Sequence, residues 1–101
     1  MIRFKDDVKI FGIRPEIAMA IEVANGIYNQ FGSDVTVTSV VDGTHSKTSL
    51  HYSGSAVDFR TRNLADHQVD TIVSWLKQFL TNEFDVVKER DHIHVEFQPK
   101  I

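Results

Sequence analysis

Two stretches of the chain keep a helical period. Ile17, Ala20, Ile21, Ala24, Ile27, Tyr28 and Phe31 recur on one face, with Glu22, Asn25 and Asn29 opposite, and predict a core-facing helix over about 15–31. Pro15 suits its first turn, Glu16 its positive end, and Gly32 its close. The second stretch, Val69, Ile72, Val73, Leu76, Phe79 and Leu80, predicts a helix over about 64–81, with Asp66, Asp70, Ser74, Lys77 and Gln78 on its polar face. Asn63, with Asp66 three residues on, reads as its capping arrangement. Trp75 falls off the apolar stripe and either widens the packed face, the preferred reading, or marks a partner contact. His67, beside Asp66, reads as surface.

Other runs alternate with period two. Val35 to Val41 is β-branched and alternating and ends at Asp42-Gly43. Ala56 to Thr61 is a second strand, with Val57 and Phe59 on one side and Ala56, Asp58 and Arg60 on the other. Phe84–Glu89 and His92–Phe97 are two more, joined through Arg90-Asp91. Residues 1–13 alternate loosely and predict a short strand or an extended arm. Residues 43–54 have no period and are rich in Ser, Thr, His and Gly, the composition of a functional loop. Two amphipathic helices need a sheet to cover. The expected fold is therefore α+β, with two helices on one face of a small, mostly antiparallel sheet of about four strands, in a single domain over residues 1–101.

Composition narrows the chemistry. A chain of 101 residues, 42% hydrophobic and 25% charged, is an ordinary globular domain. With no cysteine, a disulfide framework and a thiolate metal site are both excluded, so any metal must be held by His and carboxylates. A net charge of -3 without a Lys/Arg cluster argues against nucleic acid as a partner. No run of about 18 apolar residues exists to cross a membrane. The opening Met1-Ile2-Arg3-Phe4-Lys5-Asp6-Asp7 does not read as a signal peptide, so synthesis in the cytoplasm is expected, with any cell-wall substrate reached by another route. A monomer is favoured.

Four of the five histidines fall in two short stretches that also carry Asp58 and Asp91. In His92-Ile93-His94-Val95-Glu96-Phe97, alternation turns Ile93, Val95 and Phe97 to the core and His92, His94 and Glu96 away from it. Asp58 faces away from the core on its own strand, and His51 lies in the loop just before. Two imidazoles and one carboxylate, His51, Asp58 and His94, make a three-ligand zinc shell with an open position for water. Asp91, three residues before His94, is placed to take a proton from that water. The competing reading leaves the histidines as solvent-facing residues without metal. Glu96 either orients a ligand or faces water, and Tyr52 either lines the cleft or packs its loop.

Ser49-Leu50-His51-Tyr52-Ser53-Gly54-Ser55-Ala56-Val57-Asp58 resembles the Ser-x-His-x-x-Gly-x-Ala-x-Asp signature of the zinc D-Ala-D-Ala carboxypeptidase and L-alanyl-D-glutamate endopeptidase family. Asp91-His92-Ile93-His94 resembles its second half, an acid followed three residues later by a ligand histidine. That family shares its fold with the N-terminal signalling domain of hedgehog proteins. The resemblance implies that His51, Asp58 and His94 bind Zn2+, that Asp91 is the general base, and that His92 lies near the substrate carbonyl as an oxyanion donor. It gives Ser49 a loop-ordering hydrogen bond and Gly54 a close backbone approach. Active members usually carry a Ser-Gly-Tyr-Arg type segment after the strand that precedes the zinc loop. Here the region reads Ser39-Val40-Val41-Asp42-Gly43-Thr44-His45-Ser46, leaving His45 as the positional stand-in, with Arg60 and Arg62 as an alternative carboxylate clamp.

The expected activity is therefore zinc-dependent hydrolysis of a short peptidoglycan peptide, with a phage or prophage setting as a plausible context by analogy. The alternative is a non-catalytic, zinc-stabilised binding or structural module of the same fold.

Overall fold

Pro15 opens the first helix in this computed structural model, which describes residues 1–40 and 54–98. Helix α1 (Pro15–Gln30) buries Ile17, Ala20, Ile21, Ala24, Ile27 and Tyr28, the stripe its period predicts. It ends where Gly32, at φ 71°, turns the chain left-handed and the Phe31 and Gly32 N–H groups bond the carbonyls of Tyr28 and Asn29.

Helix α2 (Asp66–Leu80) buries Val69, Ile72, Leu76 and Leu80. Its start differs from the expected Asn63 arrangement. Ala65 precedes the first turn, and the Gln68 side chain reaches back to accept from the Ala65 N–H at 2.9 Å. Asn63 instead donates to Ser33 Oγ at 2.6 Å, tying the loop before α2 to the end of α1. Phe79, expected on the buried stripe, is 60% exposed. Trp75 is half-buried against Phe31, with ring centroids 5.6 Å apart, so it widens the packed face.

Among the described residues the sheet has five strands, one more than expected: β1 (Ile2–Phe4), β2 (Val35–Ser39), β3 (Ala56–Arg60), β4 (Phe84–Lys88) and β5 (His92–Phe97). The extra strand comes from the N-terminal arm. The spatial order is β1-β2-β3-β5-β4. β1 pairs parallel with β2 and the other pairs are antiparallel, so the sheet is mixed. Val35, Val37, Val57, Phe59, Val86, Ile93 and Val95 form one buried cluster with the two helix stripes. Burying so much apolar side chain is the dominant favourable term for a chain of this size.

Tyr28 is fully buried, and its hydroxyl donates to the Arg60 carbonyl at 2.9 Å. Burial raises the pKa of this phenol, which stays protonated as a donor. One hydrogen bond thus fixes the end of β3 to α1. No described helix is long and apolar enough to cross a membrane.

Candidate metal centre

β3 and β5 lie side by side, with Asp58 directly opposite His94 and Arg60 opposite His92. Because side chains alternate, these four residues share the sheet face away from the helices. On the same strands Val57, Phe59, Ile93 and Val95 enter the core. Asp58 is 8% exposed, well buried for a carboxylate. β2 is irregular beside it: the register slips between Val37 and Ser39, which pair with Phe59 and Asp58. A slip of this kind next to a site re-aims side chains.

His94 is held between two carboxylates. Its Nδ1 lies 2.9 Å from Asp58 Oδ1 and its Nε2 2.7 Å from Glu96 Oε1. Gln98 Nε2 donates to the other Glu96 oxygen, fixing that carboxylate in turn. The Asp58 hydrogen bond, with a further contribution from Glu96, raises the His94 pKa to about 9 against the opposing effect of burial. Without a metal, the ring carries a proton on each nitrogen at neutral pH.

His92 Nδ1 lies 2.7 Å from Asp91 Oδ1, and its Nε2 is 3.7 Å from Asp58 Oδ1. The Asp91 carboxylate is exposed, and the His92 hydrogen bond holds its pKa below the usual range. Asp58 Oδ1 thus lies within 4 Å of both imidazoles.

The pair Asp58–His94 fits a zinc shell in two respects. Bond lengths of about 2.0–2.2 Å in a tetrahedron put two ligand atoms about 3.3 Å apart. The 2.9 Å contact would need to open by only a few tenths of an ångström as an ion replaced the shared proton. The carboxylate behind the far nitrogen, here Glu96, is the usual partner of a metal-bound histidine, fixing ring orientation and basicity. Among the described residues, no three His, Asp or Glu side chains form a metal-holding group. The third ligand expected from sequence, His51, lies outside the described residues, as do His45, Ser49 and Tyr52.

Gly54 meets its expected role. At φ 72° it sits in the left-handed region, and a Cβ there would fall 2.3 Å from the Gly12 carbonyl oxygen. Its own carbonyl accepts from the Arg14 N–H at 3.1 Å. The signature stretch is therefore clamped at Gly54 to the segment leading into α1, and only glycine permits the approach.

A cavity of about 400 Å³ opens beside the pair, lined by Asp58, Asp91 and His92 on one side and by Arg60, Arg62 and Lys5 on another. Lys5 has no place in the sequence reading. The only signal for it is the loose alternation of the first residues, which does not say which strand the arm joins. Comparison with protein-family models and with curated proteins finds no match to this chain.

Proposed function

We propose that this protein is a zinc metallopeptidase acting on a short peptidoglycan peptide, with the hedgehog and D-Ala-D-Ala peptidase type of fold and with His51, Asp58 and His94 as ligands. One observation carries the reading: Asp58 and His94 face each other at 2.9 Å, with Glu96 behind the far nitrogen. When bound, zinc supplies a Lewis acid that polarises a carbonyl and lowers the pKa of a water. Asp91 accepts the proton of the attacking water at its carboxylate and hands it to the leaving amine. His92, 2.7 Å from Asp91, donates through Nδ1–H to that carboxylate and orients it. Asp91→Ala should abolish hydrolysis of acetylated D-Ala-D-Ala and L-Ala-D-Glu peptides while the zinc content, measured by atomic emission, stays near one per chain. Full turnover in that variant would overturn the mechanism.

A second reading, a zinc-stabilised module without turnover, is favoured by the direction of the Asp91 shift. A base works best with a pKa near the operating pH, and the His92 hydrogen bond moves Asp91 the other way. It predicts a chelator-sensitive melting temperature with no hydrolysis of either peptide.

A further inference from the structure

We infer that the free edge of β4 is a docking site for an extended basic peptide, which joins the sheet as a further strand antiparallel to β4. The inference is independent of the peptidase reading, since it uses neither the metal pair nor the cavity beside it. β4 lies last in the order β1-β2-β3-β5-β4, so among the described residues it pairs with β5 alone.

The register shows which backbone groups are left over. The Gln98 N–H donates to the Glu83 carbonyl at 2.7 Å, and the Glu89 N–H to the His92 carbonyl at 2.9 Å. These bonds continue the pairing of Asp85 with Glu96 and Val87 with His94, so Glu83, Asp85, Val87 and Glu89 turn their backbone groups to β5. Phe84, Val86 and Lys88 turn theirs the other way. The Thr81 carbonyl takes up the Phe84 N–H at 3.3 Å, which leaves the Val86 and Lys88 N–H groups and all three carbonyls on the open side. Such a row is a template for another strand.

The edge is also accessible. A cavity of about 500 Å³ is lined both by Phe84 and Val86, which enter the core, and by Asp85 and Val87, which share the face of Glu96 and His94. A cavity touching both faces of β4 wraps its free edge. Lys77 borders it on the helix side and Glu96 on the other, and Val87 is 43% exposed.

Charge names the occupant. On the face of Asp85 and Val87, the strand and its flanks read Glu83, Asp85, Val87, Glu89, three acids in four positions. Among the described residues no ion pair engages these acids, whereas Lys88, on the opposite face, pairs with Asp70 at 2.9 Å and Asp66 at 3.7 Å. Opposite charges directly across a strand pair stabilise it, and like charges destabilise it. The fitting strand therefore carries Lys or Arg at alternate positions, with uncharged residues between them toward the helices. The same rule disfavours a second copy. Pairing β4 with itself about Val86 sets Glu83 against Glu89 of the other copy, and the two neighbouring registers set Asp85 against Asp85 or against Glu89.

The probe is acetyl-Lys-Thr-Lys-Thr-Lys-amide, added to the whole chain and followed by calorimetry, amide NMR and hydrogen exchange. Binding should protect the Val86 and Lys88 amides from exchange about tenfold or more. The counterpart with Glu for Lys should bind about tenfold more weakly or not at all. In antiparallel pairing the two Thr residues lie opposite Val86 and Lys88 and exchange backbone bonds with them. N-methylation of both Thr residues should therefore abolish binding, whereas N-methylation of the central Lys should leave it within about twofold. Asp85→Asn and Glu89→Gln should each weaken binding about threefold, and Glu22→Gln, on the exposed face of α1, not at all. No binding, equal binding of the Glu peptide, or indifference to methylation of the Thr residues would overturn the proposal. Protection of the same amides in peptide-free protein that rises with protein concentration would overturn it too, by giving the edge to a second copy.

Discussion

The two faces of the β3–β5 pair are made from the same eleven residues and share one set of backbone hydrogen bonds, yet they do opposite work. One face sends Val57, Phe59, Ile93 and Val95 into the core, where contacts are non-directional and any well-fitting hydrocarbon would serve. The other face sets Asp58 against His94 and Arg60 against His92, where a change of one atom alters charge or hydrogen bonding. Stability and chemistry are thus separated by a single-residue step along each strand. Substitutions on the two faces should separate in the same way.

The largest effect is expected on the core face. Phe59→Ala should cost about 3–5 kcal/mol, since Phe59 is fully buried beside Tyr28, and urea denaturation should register it even with zinc present. If that variant melted like the parent, the division between faces would be wrong. Gly54→Ala comes next, with about 1–2 kcal/mol for a left-handed non-glycine residue and more for the displaced Gly12 carbonyl. A loss in the melting temperature of both metal-free and zinc-loaded protein would check it.

On the site face the expected signature is a pH slope. The His94 pKa is raised from 6.5 to about 9 by Asp58 and Glu96, with His92 the other ionisable group beside Asp58. A raised folded pKa gives stability that is fully present below about 6.5 and is lost as pH rises through about 9. Thermal melts of zinc-stripped protein between pH 6 and 10 should show that decline, and His94→Gln should flatten it. Zinc affinity should rise over the same interval, because the ion must displace the proton. The smallest effect is Tyr28→Phe, about 1 kcal/mol for the lost hydrogen bond to the Arg60 carbonyl. Urea denaturation of that variant beside the parent checks it.

Periodicity alone makes much of this legible. The stripes of α1 and α2 and the alternation of β3 and β5 follow from side-chain geometry, which is local. That alternation already turns Asp58 and His94 to the non-core face. It does not say that β3 and β5 are neighbours, nor that Asp58 falls opposite His94 and not His92, because pairing and register are decided by the whole sheet. For the same reason Lys5 was invisible: its place depends on β1 joining β2 in parallel. Asn63 and Phe79 fail differently. Asn63 has a better partner in Ser33, and Phe79 lies at the margin of its stripe, where half a helical turn separates core from solvent.

The place of β5 between β3 and β4 also governs when the site can come into being. β4 and β5 are separated by three residues and form a local hairpin, an event of microseconds. Asp58 and His94 are 36 residues apart, so their meeting waits for that hairpin to dock on β3 and close the intervening loop. Emerging from the ribosome, the chain presents Asp58 well before its partner exists. The centre is therefore a late product of folding, and an ion bound there would report that the sheet has closed.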